Sequence, residues 1–344
     1  MNIRKHLLAG QAIPALPLAL NEKRQWSQRH QKAVLRYYMD AGVGGVAVGV
    51  HSTQFEIRDQ DNALFEPLLE FASLEIDQWL GKNSGVAKIA GICGDTEQAI
   101  DEALIAQRYG YHAGLLSLAA LKHQSIDELI VHCAKVAEVI PIIGFYLQPA
   151  VGGRVLPYAF WRAFAKIPNV VAVKMAPFNR YQTFDVVRAV MDAGREDIAL
   201  YTGNDDNIVA DLMTPWVLNG QKRYIVGGLL GQFGVWTQRA VELFNETKAE
   251  REAKTLSAEW LTRNAAWTDA NAAVFDAANN FSGVLCGIHE VLRRQGLLQT
   301  THCLNPHEKL SPGQSEELDR VCAAYPWLMD DTFVRQNRDR WFND

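Results

Sequence analysis

The sequence predicts an α/β protein, a (β/α)8 TIM barrel with a C-terminal helical extension. Three observations predict it. A short apolar run followed by a longer amphipathic stretch recurs eight times within the first 250 residues or so, which is the unit count and the length of such a barrel. The apolar runs are rich in β-branched residues and nearly uninterrupted by polar ones, the pattern of parallel strands buried on both faces. A doubly wound open sheet is the rival arrangement, but it usually has a glycine-rich turn after its first strand, and "PALPLALNEK" has none.

The strand-like runs fall at residues 12–20, 44–50, 86–93, 111–118, 139–146, 169–175, 197–203 and 224–230. The first, "AIPALPLAL", precedes "SQRHQKAVLRYYMDAG"; the second, "GGVAVGV", precedes "NALFEPLLEFASLEIDQWLG". After the third run, Asp95-Thr96 with Gln98 reads as a helix start, because a side-chain oxygen there can accept a free backbone N–H. After the fourth, Ser125 with Glu128 forms the two halves of a capping box. "LPYAFWRAFAKI" follows the fifth run and "TFDVVRAVMDAG" the sixth. "NIVADLMTPWVLNG" is read as the helix after the seventh, and "GVWTQRAVELFNETKAE" as the helix after the eighth. Gly42, Gly110, Gly194 and Gly220 stand where helices end.

Beyond residue 247 the alternation stops. "REAKTLSAEWLTRNAAWTDANAAVF", "GVLCGIHEVLRRQG" and "SPGQSEELDRVCAAY" read as helices, followed by a polar tail with late aromatics. The expected organisation is therefore a barrel over 1–246 with a short N-terminal extension, and a helical region over 247–344 packed on it.

Composition bounds the function. The chain has 344 residues, 48% hydrophobic and 21% charged, with a formal net charge of −5 and no basic block. Nucleic acid and anionic membrane surfaces are thus unexpected partners. Five scattered cysteines, Cys93, Cys133, Cys286, Cys303 and Cys322, contain no CxxC pair, so neither a disulfide framework nor a cysteine-rich zinc site is indicated, and a cytoplasmic setting is expected. Arg4 and Lys5 precede an apolar stretch in the manner of a signal peptide, but Gly10, Pro14 and Pro17 interrupt it. No apolar run approaches the ~20 residues of a membrane span.

The chemistry centres on "VVAVKMAPFN". Lys174 sits near the end of a buried strand, where a lysine either extends to solvent or pairs, or is held desolvated as an amine able to attack a ketone. Barrel enzymes carry reacting groups at the carboxyl ends of their strands. Applied here, that rule brings Lys174 to one mouth with Tyr146 after run five, and with His51, Ser52 and Thr53 after run two. Gly203, Asn204 and Asp205 follow run seven, and Gly227 and Gly228 lie in run eight. A phenol beside the lysine would carry protons during imine formation.

At this point "GFYLQPAVGGRVL" followed by "NVVAVKMA" resembles the dihydrodipicolinate synthase / N-acetylneuraminate lyase family of Schiff-base aldolases. The resemblance rests on Tyr146, Pro149 and Lys174 in order, with 174 − 146 = 28 residues from tyrosine to lysine, and extends over roughly residues 10–328. It implies Lys174 as the imine-forming lysine, Tyr146 as proton carrier, and Ser52 and Thr53 as ligands of a keto acid's carboxylate. Gly203, Asn204 and Gly228 are expected to line the substrate site. His51 is foreign to the family pattern and is either a substrate ligand or acid/base, or a packed imidazole. Other departures are Gln54-Phe55 in place of Gly-Glu, Ala119 and Ala120 in place of a tyrosine pair, and Val151 in place of an arginine, with Arg154 close by. These argue against dihydrodipicolinate synthase itself.

The expected function is a metal-independent class I aldolase or lyase acting on pyruvate or another 2-keto acid. The alternatives are a sugar-acid dehydratase or hydratase using the same imine, and a barrel that binds a keto acid without turnover. The lysine imine is the electron sink, so no organic cofactor and no metal are expected. His302, Cys303 and His307 have metal-ligand chemistry but fall outside the presumed mouth. The resemblance also implies a homotetramer built as a pair of dimers; a dimer or tetramer is expected here, for which Trp327, Trp341 and Phe342 are candidate anchors.

Overall fold

The computed structural model describes residues 1–82, 84–253 and 255–343. Eight parallel strands form one sheet: β1 (Ala12–Pro14), β2 (Gly45–Val48), β3 (Ala87–Ile92), β4 (Ala113–Leu116), β5 (Ile142–Leu147), β6 (Val170–Ala176), β7 (Ala199–Thr202) and, after a hairpin, β10 (Gly227–Leu230). Their order is β1-β10-β7-β6-β5-β4-β3-β2. A parallel bridge between Ala15 and Ala47, with the Leu16 amide donating to the Ala47 carbonyl at 2.8 Å, brings the two ends of the sheet together. The expected TIM barrel is the observed fold.

Each strand leads into a helix: α2 (Gln28–Asp40), α3 (Phe65–Leu80), α4 (Thr96–Arg108), α5 (Ile126–Val139), α6 (Tyr158–Phe164), α7 (Arg180–Asp192), α8 (Ile208–Met213) and α9 (Thr237–Glu250). The expected caps are present. The Asp95 carboxylate accepts the Gln98 amide, and Ser125 and Glu128 bond each other's amides reciprocally. One segment departs from the sequence reading. Trp216–Leu218 (β8) and Gln221–Arg223 (β9) form an antiparallel hairpin where a continuing helix is predicted. Asn219 and Gly220 have φ of 50° and 78°, the two left-handed residues that a tight primed turn requires, so Gly220 closes a hairpin rather than a helix.

Side chains alternate between two cores. One fills the lumen, with Ile13, Ala47, Ile89, Leu115 and Val171 among its members; the other lies between strands and helices. At the amino-terminal end α1 (Ile3–Leu8) acts as a plug. Ile3 and Leu7 join the lumen core, and the Tyr201 hydroxyl donates to the Leu7 carbonyl at 2.9 Å. The residues that resemble the start of a signal peptide thus belong to the packed barrel.

The C-terminal segment adds α10 (Glu259–Phe275), α11 (Val284–Arg294), α12 (Gln314–Ala324) and α13 (Asp331–Phe342). Helix α10 packs on α8, and α13 returns to α2. The Tyr37 hydroxyl donates to Asp330 at 2.7 Å, and Trp341 is fully buried against Tyr37 within the same chain. Trp341 is therefore a core residue, not a free anchor for a partner. Among the described residues, no helix is long and apolar enough to cross a membrane.

Candidate active site

Strand β6 decides where Lys174 points. Val173 and Met175 pack toward the helices, and Lys174 between them faces the lumen near the carboxyl end of the strand. It is 8% exposed. Its chain lies across Gly203: a Cβ there would stand 2.6 Å from Lys174 Cε and 2.9 Å from the Ala176 methyl. The glycine after β7 is thus a space that the lysine occupies. Burial lowers the Lys174 pKa to about 8, while the nearby Asp205 carboxylate pulls it the other way.

Asp205 is 5% exposed and accepts the Gln232 amide at 2.9 Å. Burial raises its pKa to about 7, opposed by the Gln232 hydrogen bond and by Lys174. Two groups of opposite charge type are thereby brought toward the same pH range, a condition suited to passing a proton between substrate and protein near neutrality.

The cavity at this mouth contains about 570 Å³ of free space, counting the part open to solvent. Its polar walls are His51, Ser52, Gln148, Lys174 and Asp205. Phe145, Leu147 and Val151 form one apolar side, Phe178 another, and Phe275, Phe281, Val284 and Ile288 arrive from the C-terminal segment. His51 and Ser52 are presented by a tight turn after β2. That turn is held from below by the Thr53 hydroxyl, which accepts the Gly49 and Val50 amides at 3.0 and 3.2 Å and donates to the Leu16 carbonyl at 2.7 Å. The buried Arg58–Glu102 pair, at 2.8 Å, braces it from the side, since Arg58 also donates to the Gly49 and Gly91 carbonyls. Burial and the Lys174 cation lower the His51 pKa to about 4, so the ring is neutral near pH 7.

The sequence-derived candidates divide accordingly. Lys174, His51, Ser52 and Gly203 meet at the cavity. Thr53 does not: it is fully buried and its hydroxyl is committed to the turn. Asn204 accepts the Phe178 amide at 3.0 Å and donates to Thr183 and Asp211 at 3.1 and 2.9 Å, so it ties two loops together behind the site. Gly228 faces outward, where a Cβ would meet the Phe233 ring at 2.7 Å; Gly231, three residues on, reaches the cavity instead.

Tyr146 is the main displacement. It points into the helix-side core, fully buried, with its ring 5.4 Å from that of Trp161 and its hydroxyl accepting the Leu156 amide at 3.2 Å. Its neighbour Phe145 takes the lumen position and is the register partner of Lys174. The physical reason is the period of two along a strand: adjacent residues face opposite sides, so one of the pair must leave the mouth. Arg154 is also turned away, donating to the Leu121 and Gln124 carbonyls.

Gln148, Phe178 and Phe281 complete the site without having been singled out by the sequence, and Asp205, which the strand-end rule brought to the mouth without a role, lines it as well. Asp205 had a signal, since it is the next residue after Asn204 in the same loop. The C-terminal aromatics had none. Cys303 faces Cys286 with the sulfurs 3.7 Å apart, and His307 is exposed. Among the described residues, no group of three or more His, Cys, Asp or Glu side chains could hold a metal ion.

Fold and mouth together define a (β/α)8 barrel with a desolvated lysine ending its sixth strand. The chain belongs to the dihydrodipicolinate synthetase family, whose model matches residues 9–324. It is 24% identical over 310 residues to N-acetylneuraminate lyase 2 of Escherichia coli O6:H1, covering 89% of this chain and 90% of that protein. Among solved structures it is similar to a monomeric dihydrodipicolinate synthase variant, with a TM-score of 0.75, 17% identity and coverage of 93% of this chain and 98% of the other. It is also similar to N-acetylneuraminate lyase from Fusobacterium nucleatum, with a TM-score of 0.72, 16% identity and coverage of 92% and 99%.

Proposed function

We propose that the protein is a class I aldolase or lyase that forms an imine between Lys174 and the C2 carbonyl of pyruvate or another 2-keto acid. The observation that carries this reading is a lysine desolvated at the barrel mouth, with burial lowering its pKa and a cavity in front of it. Family membership supports the same class.

In the cleavage direction, the neutral amine adds to C2 and water is lost, leaving an iminium. The Asp205 carboxylate takes the proton of the C4 hydroxyl. The C3–C4 bond then breaks, its electrons pass into the iminium as an enamine, and an aldehyde leaves. The enamine takes a proton at C3, water adds at C2, and pyruvate and the free lysine are released. Condensation is the reverse. Asp205 has the proton role here because it faces the cavity and Tyr146 does not. Ser52 and neutral His51 are placed to bind the keto-acid head. The iminium supplies the electron sink, so the scheme calls for no metal and no organic cofactor.

Reduction with borohydride in the presence of pyruvate tests the reading. Mass mapping should place the adduct on Lys174; an adduct on another lysine, or none with any 2-keto acid, overturns it. A dimeric or tetrameric assembly is a further proposal for this chain, measurable by light scattering.

A further inference from the structure

The polar and apolar walls of the cavity are unevenly distributed. If Lys174, Ser52 and His51 serve the keto-acid head, Gln148 and Asp205 are the polar side chains left to meet whatever extends beyond it. A polyhydroxylated fragment would place several hydroxyls against Phe178, Phe281, Val284 and Ile288, and burying a hydroxyl without a hydrogen-bond partner is unfavourable.

The aromatic wall is built with care. Phe178 and Phe281 meet edge to face, with ring centres 5.6 Å apart and planes at 83°. They come from distant parts of the chain, the loop after β6 and the segment between α10 and α11. Both have left-handed backbones, with φ of 51° and 65°, a conformation that is costly for a bulky residue and persists only where its surroundings hold it. Those surroundings are visible: Asn204 accepts the Phe178 amide at 3.0 Å, and the Asp276 carbonyl accepts the Phe281 amide at 3.0 Å. Phe275, from the end of α10, adds a third ring to the cavity.

We propose that the fragment exchanged at this site is an aromatic aldehyde rather than a polyhydroxylated one. This rests on the imine reading above and adds the chemical class of the second substrate. An aryl ring would find edge-to-face partners in Phe178 and Phe281, while its carbonyl oxygen lies toward Asp205.

The test uses the wild-type protein, Phe178→Ala, Phe281→Ala and the milder Phe281→Leu. Pyruvate condensation is measured with benzaldehyde and with N-acetylmannosamine and glyceraldehyde, alongside borohydride trapping with pyruvate alone. The expected result is a kcat/KM at least ~10²-fold higher for benzaldehyde than for either polyol, the discrimination available from a shaped apolar pocket. Each variant should lose ~10-fold or more of the benzaldehyde kcat/KM, mainly through KM, with pyruvate trapping unchanged. Preference for a polyol, no condensation with benzaldehyde, or variants that leave the ratio unmoved would overturn the aromatic assignment while trapping still upheld the imine. Absence of trapping would overturn both.

Discussion

Phe145 and Lys174 are register partners on β5 and β6, and the Lys174 amine stands over the Phe145 ring, 4.4 Å from its centre. The ring does two opposing things to the lysine. Its bulk keeps water away, which favours the neutral amine; its π face attracts the cation, which favours the charged form. Burial lowers the Lys174 pKa and outweighs the pull of the Asp205 carboxylate in the other direction.

Imine formation needs the neutral amine, so its pH dependence follows that balance. With the pKa lowered to about 8, the trapping rate should rise with pH through about 8, where an ordinary lysine would titrate near ~10.4. Lys174→Ala and Lys174→Arg should abolish trapping, because neither supplies a neutral primary amine at working pH. Rapid-quench borohydride trapping between pH 6 and pH 10, expressed as rates, measures both. A midpoint at the ordinary lysine value would contradict the desolvated environment.

Much of this was legible in the sequence, and each exception has its own physical cause. Eight strand-like runs mark eight barrel strands because burial on both faces leaves an apolar signature that needs no knowledge of neighbours. Lys174 was legible for the same reason, as a charge inside such a run. The facing of Tyr146 was not. Strand β6 carries one extra residue, Val171, where its pairing with β5 passes from Ile142 to Ile143, and that one-residue slip sets Lys174 opposite Phe145 instead of Tyr146. The 28-residue spacing from Tyr146 to Lys174 carries no record of that shift. The Asn219-Gly220 hairpin was readable from its dipeptide but was obscured by the apolar residues before it. Phe281 was beyond reach, because only the path of the C-terminal segment brings it across the mouth.

The placement of Tyr146 makes a prediction opposite to that of its motif. Tyr146→Phe should change turnover by less than ~3-fold, since an acid/base group would be worth ~10²-fold or more. It should instead lower stability by about 1–3 kcal/mol, because the Leu156 amide loses its buried acceptor. Urea unfolding and steady-state kinetics on the same preparation separate the two effects. A hundredfold loss of turnover with intact stability would restore the tyrosine to the chemistry.

Gly203 offers a steric test of the lysine's position. Gly203→Ala sets a methyl group within 2.6 Å of Lys174 Cε and 2.9 Å of the Ala176 methyl. The lysine must then leave its groove, and a displacement on the scale of 1 Å costs about 10²-fold in a reaction that depends on attack geometry. Trapping should slow by that order while circular dichroism remains that of the folded barrel. Trapping at the wild-type rate would mean that the lysine reaches the carbonyl from elsewhere.

Asp205→Asn should separate catalysis from stability. The amide keeps an oxygen for the Gln232 N–H, so the loop has no reason to move. Turnover should fall by ~10²-fold or more as the proton acceptor is lost. The Asp205 carboxylate raises the Lys174 pKa, so its removal should carry the trapping midpoint to lower pH. Stability should shift in a defined direction. Burial raises the Asp205 pKa in the fold, to about 7, above its unfolded value, so the folded protein favours the protonated acid. That contribution is fully present below the unfolded value of about 3.9 and is lost as pH rises through about 7. Above that pH the fold carries a buried anion, and by pH 9 a largely neutral Lys174 gives it little compensation. The variant should therefore melt higher than wild type at pH 9 and no higher at pH 4. Scanning calorimetry at both values reads the difference; equal melting temperatures at pH 9 would show that Asp205 is better solvated than its burial implies.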